Sequence, residues 1–134
     1  MKKYILIAII VGIIFAGGLY GVKKYTTPPA IQTNSSISAI TVVLNTGEEI
    51  STASGIQADN AFVALQSIAK QKNLELKTKQ YDFGVFVEAI GTLANTKEKS
   101  WIYFVNGKSG EVASDKYEVK QNDIVEWKYT MPIY

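Results

Sequence analysis

Both tryptophans of this chain, Trp101 and Trp127, lie within the single stretch Trp101–Tyr129. The same stretch holds Tyr103, Tyr117 and Tyr129, three of the eight tyrosines, and an Asn106-Gly107-Lys108 turn. Large rings with a polar tip are the side chains that recognition surfaces favour, because a ring face stacks while an N–H or O–H sets orientation. Trp101, Tyr103, Asn106, Gly107, Lys108, Tyr117 and Trp127 are therefore the candidate ligand-binding residues. Each also has a plainer role. Trp101 can begin a strand and pack beneath a helix. By alternation Trp127 shares a face with Val125 and Tyr129, either core or an exposed aromatic strip. Asn-Gly is what a two-residue hairpin demands for its geometry alone.

The rest of the composition narrows the chemistry. With no cysteine and no histidine, disulfides, thiol nucleophiles, imidazole bases and the usual zinc sites are excluded together. A metal would need all-oxygen ligands, and no calcium-loop spacing occurs. Serine with a lysine partner is the one nucleophilic pairing this composition leaves; no enzyme activity and no cofactor are expected. All 14 basic residues are lysine, which suits bidentate phosphate or base recognition poorly. The net charge of +2 also misleads. Lys2, Lys3, Lys23 and Lys24 flank the first apolar run, and every acidic residue comes later. The body is slightly acidic and carries no basic footprint for nucleic acid.

The elements that must position these residues follow a membrane-like start. Ile5–Val22 is uncharged, and as a helix would reach about 27 Å, close to a bilayer's hydrocarbon thickness. Lysine pairs bracket it, and Tyr4 and Tyr20 sit where interfacial aromatics belong. Residues 1–24 are expected to be a single-pass anchor, with a cleaved secretory signal as the alternative. Residues 25–38 form a polar linker stiffened by Pro28-Pro29. The domain proper is expected over 39–134.

Within that domain, Ala39–Leu44 is a β-branched strand, Asn45-Thr46-Gly47 a turn, and Glu48–Ser54 a returning strand. The period then lengthens. Ala61, Phe62, Leu65, Ile68 and Ala69 fall on one helical face, capped by Asp59 or Asn60. Leu74–Tyr81 alternates, with Leu74, Leu76, Thr78 and Gln80 on one face. Val85–Ile90, Trp101–Val105 and Ile124–Tyr129 read as further strands. Hairpin, helix and more strands predict an α+β domain, one mixed sheet of about five to six strands covered by one helix.

Three blocks resemble the DUF4430 domains, which are similar to the C-terminal domain of transcobalamin and intrinsic factor. Asn60-Ala61-Phe62-Val63-Ala64-Leu65 resembles the family's T-x-x-D-A-L helix start. Tyr81–Gly91 resembles its G-x-(F/Y)-(V/I)-x-x-I-x-G block. Trp101–Lys108, Tyr117 and Asn122–Tyr129 resemble W-x-Y-x-V-N-G-K, Y and G-D-x-V-x-W-x-Y. Asn122 stands where the family has glycine, and Asn is the next best residue for a left-handed turn. The resemblance implies a β-grasp-like domain outside a bacterial cell, with cobalamin as a ligand in the vitamin carriers. Two functions are carried forward. One is a membrane-tethered module that captures a small ligand, such as a corrinoid, for a transporter or cell-surface partner. The other is a structural or adhesive surface domain, with a Lys–Asn amide crosslink as a variant.

Overall fold

The computed structural model describes residues 38–132. The expected anchor over 5–22 and most of the linker lie outside the described residues; among the latter, no helix is long and apolar enough to cross a membrane.

The first hairpin forms as its sequence dictates. Strand β1, Ser38–Asn45, pairs antiparallel with β2, Ile50–Ala58. Ile40, Val42 and Leu44 alternate inward and are buried. The turn between them closes on side chains: Asn45 Oδ1 accepts from Gly47 N at 2.9 Å, and Thr46 Oγ1 accepts from Glu49 N at 2.9 Å. The ladder slips one residue between Ile40 and Thr41, leaving Gly55 unpaired at φ 72°. A left-handed bulge residue is where glycine belongs.

Helix α1, Ala61–Gln71, starts where its cap predicts. Asn60 Oδ1 accepts from Val63 N at 2.8 Å, satisfying one N–H that the first turn cannot. It ends on Asn73 at φ 53°, with Leu74 N donating to Ala69 O at 2.8 Å and Asn73 N to Lys70 O at 3.2 Å. That is a Schellman closure with Asn in glycine's usual place. The buried face is Ala61, Ala64, Leu65, Ile68 and Ala69. Phe62, expected in the stripe, is only partly buried, and Ala64 takes its place against the sheet. Small residues there let the helix approach closely, while burying Leu65 and Ile68 contributes about 1.5–3 kcal/mol each.

The remaining strands are β3 (Leu76–Tyr81), β4 (Gly84–Ile90), β5 (Leu93–Ala94), β6 (Ser100–Val105), β7 (Lys108–Ser109) and β8 (Ile124–Thr130). They form two sheets, where one was expected. The larger has the order β2-β1-β8-β6-β7 and is mixed, because β8 lies parallel to β1 and antiparallel to β6. A hairpin, a crossing helix and a last strand inserted beside the first make this an α+β arrangement around a mixed sheet. The smaller sheet, β3-β4-β5, is antiparallel.

What joins the sheets is side chains rather than a ladder: the Trp101 indole and the Tyr129 hydroxyl donate to Leu93 O and Ala94 O of β5, and Asn95 bridges β4 and β6. Asn95 Nδ2 donates to Val87 O of β4 at 2.9 Å, and Asn95 Oδ1 accepts from Trp101 N of β6 at 2.9 Å. Strand β3 also departs from expectation. Leu76 is half-buried but Thr78 and Gln80 are exposed, because β3 is an edge strand whose ladder slips between Lys77 and Thr78. Lys77 and Lys79 keep that edge soluble.

Candidate functional site

The Asn106-Gly107 turn joins β6 to β7 with positive φ at both residues, 51° and 80°. That is the type I′ geometry the pair favours. Asn106 is also fully engaged. Its Nδ2 donates to Asp123 Oδ1 at 2.8 Å, its Oδ1 accepts from Ile124 N at 2.9 Å, and Asp123 Oδ2 accepts from Lys120 N at 2.8 Å. Asn122, at φ 68°, takes the left-handed conformation expected of it. The two turns that deliver β6 and β8 are thus stapled to one another.

A loop over 110–117 returns across this end and is held at three places. The Tyr103 hydroxyl donates to Val112 O at 2.6 Å. Its ring occupies the space a Cβ on Gly110 would need, so only glycine lets the loop pass. Asp115 Oδ1 accepts from Val85 N at 2.8 Å. This hydrogen bond, ahead of the neighbouring Lys116, holds the Asp115 carboxyl below its ordinary value of 3.8 despite some burial. The third anchor is the helix. Ala61 N donates to Tyr117 O and Phe62 N to Ser114 O, both at 3.1 Å, so the loop satisfies N–H groups at the first turn of α1. Burial pushes the Tyr103 phenol up to about 12, with Tyr117 beside it adding to the effect.

These elements leave two clefts that share Val112 in their walls. The first, about 460 Å³, is lined by Val105, Asn106, Lys108, Ser109, Glu111, Val112 and Tyr117. It collects three of the seven expected residues, Asn106, Lys108 and Tyr117, with a cation, a carboxylate and a phenol at one opening. The second is an aromatic groove of about 250 Å³. Phe83, Phe86 and Val112 are its exposed apolar liners, and Val87, Trp101, Tyr103 and Trp127 its buried ones. Gly107 lines neither cleft.

The buried rings need a correction. Trp101, Tyr103 and Trp127 are 5 %, 7 % and 2 % exposed, within the core cluster. Their polar atoms serve the fold. Trp101 Nε1 donates to Leu93 O at 2.9 Å, and Trp127 Nε1 to Ala61 O at 3.2 Å. The Tyr103 ring lies 5.5 Å from that of Trp127 and 5.8 Å from that of Tyr117. To a ligand these three residues offer ring surface and no free donor.

Reading the sequence missed the other half of the groove. Phe83 is 62 % exposed, and its ring stacks on Tyr81 at 5.1 Å while Phe86 meets Tyr81 edge-on at 6.2 Å. Lys79 Nζ sits 5.0 Å over the Tyr81 ring. The signal was a phenylalanine inside a turn, Asp82-Phe83-Gly84, where burial is hard to arrange.

Other sites offer less. A third cleft of about 320 Å³ lies between the 45–49 turn, Lys72–Leu74 and Gly91–Leu93. Its Thr46 hydroxyl is already committed within its own turn. The Ser-x-x-Lys spacing occurs once, at Ser67 and Lys70, but the Ser67 hydroxyl donates back to Val63 O at 2.9 Å and neither residue lines these clefts. Among the described residues no lysine is buried, which leaves an amide crosslink without a dry setting.

A family model described as a domain of unknown function, DUF4430, matches residues 59–131, more than half of the chain. The chain belongs to the DUF4430 family. The match runs from the helix cap to the end of β8 and so takes in every residue of both clefts. No curated protein matches this DUF4430 chain. Among solved structures, a crystal structure of a Ruminococcus gnavus protein, provisionally described as metal binding, is similar with a TM-score of 0.54. It shares 17 % identity and covers 72 % of this chain and 99 % of its own. At that identity the likeness speaks for the fold alone. Among the described residues no three carboxylates gather where they could hold a metal ion.

Proposed function

We propose that this DUF4430 domain is a small binding module, carried outside the cytoplasm by the apolar segment 5–22, that takes its ligand at the loop end. The observation that carries this reading is the cleft at the Asn106-Gly107 turn. Lys108, Glu111 and Tyr117 converge on about 460 Å³, within the range of small-molecule sites, roughly 300–1,000 Å³. The finer version takes the ligand to be a corrinoid, on the block resemblance to the vitamin carriers. A cleft of this size covers one face of such a molecule, so a transporter or surface protein would supply the other. Titrating the purified domain with cobalamin tests it. Corrin absorbance should shift, and Lys108→Ala should weaken the response. An unchanged corrin spectrum at about millimolar ligand would sink the corrinoid version.

A second reading, an adhesive or structural surface domain, is favoured by β2. This nine-residue edge strand, ISTASGIQA, carries no charge and no proline, so its outer edge is guarded against added strands only by the Gly55 bulge. It expects retention on cell-wall or host material, and passage straight through such a column would count against it.

A further inference from the structure

The aromatic groove contains one group that packing leaves unexplained. Ser114 lies in its wall and is 3 % exposed. Its hydroxyl is the one buried side-chain polar atom without a hydrogen-bond partner among the described residues. A buried hydroxyl left unpaired is costly, and native structures rarely keep one without a use. The Ser114 carbonyl is spoken for by Phe62 N. So are the Trp101 and Trp127 indole N–H groups and the Tyr103 hydroxyl. The groove is therefore lined by rings, and the Ser114 hydroxyl is the one buried side-chain polar atom in its wall left without a partner.

Its width is preset. A Cβ on Gly84 would collide with Ala113 and Asp115, and one on Gly110 with the Tyr103 ring. Two glycines thus hold the 110–117 loop close against β4 and β6. The Asp115–Val85 hydrogen bond fixes the same approach.

We propose that this groove binds a small fused-ring aromatic molecule bearing one hydrogen-bond donor, indole being the simplest. Its ring lies against Phe83, Phe86 and Val112, the exposed liners, over the buried edges of Trp101 and Trp127, and its N–H reaches Ser114 Oγ once that side chain turns into the groove. Volume decides the size class. A dry apolar cavity of about 150 Å³ takes benzene, and sites for drug-sized ligands begin near roughly 300 Å³. At about 250 Å³ the groove suits a bicyclic ring and excludes a corrinoid. The assignment does not depend on what the Asn106 cleft binds.

The test uses the body of the chain, residues 34–134, whose described core residues all lie between Ile40 and Trp127. Indole and indene, the same skeleton without the N–H, are titrated while amide and indole resonances are followed by NMR. Indole should move Phe83, Phe86, Val112, Ser114 and both tryptophan side chains in one saturable curve. Indene should bind about fivefold more weakly, the ratio that one neutral hydrogen bond supplies. In Ser114→Ala the preference should fall to within about twofold. That variant keeps its fold, since the lost hydroxyl has no partner; Phe86→Ala should weaken both ligands alike. Absence of shifts at these residues, equal affinities in the native domain, or a preference that survives Ser114→Ala overturns the assignment. A cobalamin titration repeated with saturating indole keeps the two sites distinct: an unchanged corrin response leaves the groove assignment standing, and competition between the two ligands overturns it.

Discussion

The two hairpin tips at the loop end, Asn106-Gly107 and Tyr81–Gly84, use their side chains in opposite ways. At the first, Asn106 is bonded through both side-chain atoms and ties two turns together. At the second, Tyr81, Phe83 and Phe86 are exposed, and their rings contact chiefly one another. The motif-rich tip is therefore largely framework, and the motif-poor tip presents surface. Conspicuous residues in a sequence can be conspicuous because folding requires them, and a surface for recognition can leave only an oddly placed phenylalanine.

That contrast can be broken by mutation. Trp127→Ala should cost the most, about 3–5 kcal/mol, since it empties a core position and removes the indole hydrogen bond to Ala61 O; denaturant melts will read it. Asn106→Ala should follow at about 2–3 kcal/mol, from lost hydrogen bonds and a left-handed residue without Asn's tolerance. A loss below about 0.5 kcal/mol would show that the first tip is not framework. Asp115→Asn should cost about 1–2 kcal/mol at neutral pH and flatten the acid limb. The sign follows from a carboxyl lower in the fold than its ordinary 3.8. Its stabilisation is present above that value and is lost as pH falls below about 4 through the folded pKa.

Tyr103→Phe should lose about 1 kcal/mol and remove an alkaline limb. With the folded phenol at about 12 against 10.0 unfolded, the native state holds the proton more tightly. Stability is full below pH 10 and declines as pH rises towards 12. Phenolate absorbance followed alongside unfolding will report it. Phe83→Ser should change stability least, within about 0.5 kcal/mol, and should raise solubility. A large loss there would mean that the second tip is framework too.

Local signals were legible where local chemistry decides structure. The Asn60 cap, the Asn-Gly turn, the left-handed Asn122 and the strand ends near Ser38, Val105 and Ile124 all follow from neighbours in sequence. The division into two sheets was not legible, because it turns on Asn95 bonding backbone on both sides of itself instead of letting β4 and β6 pair. Nor was the exposure of Thr78 and Gln80, since an alternating pattern does not reveal that a strand lies at an edge. The groove depends on the 110–117 loop reaching β4, thirty residues away, through Asp115 and Val85. Gly84 and Gly110 were the traces of that close approach, and glycine alone does not say what presses against it.

Strand β8 lies between β1 and β6 in the larger sheet. The first hairpin and β6 therefore have no common surface to pair on until Ile124–Thr130 arrives. A chain being synthesised must carry the edges of β1 and β6 that face β8 unpaired until almost the whole domain is out. Assembly is then a single late event rather than a growing edge, and a nascent chain stalled before Ile124 would offer proteases and chaperones two incomplete half-sheets.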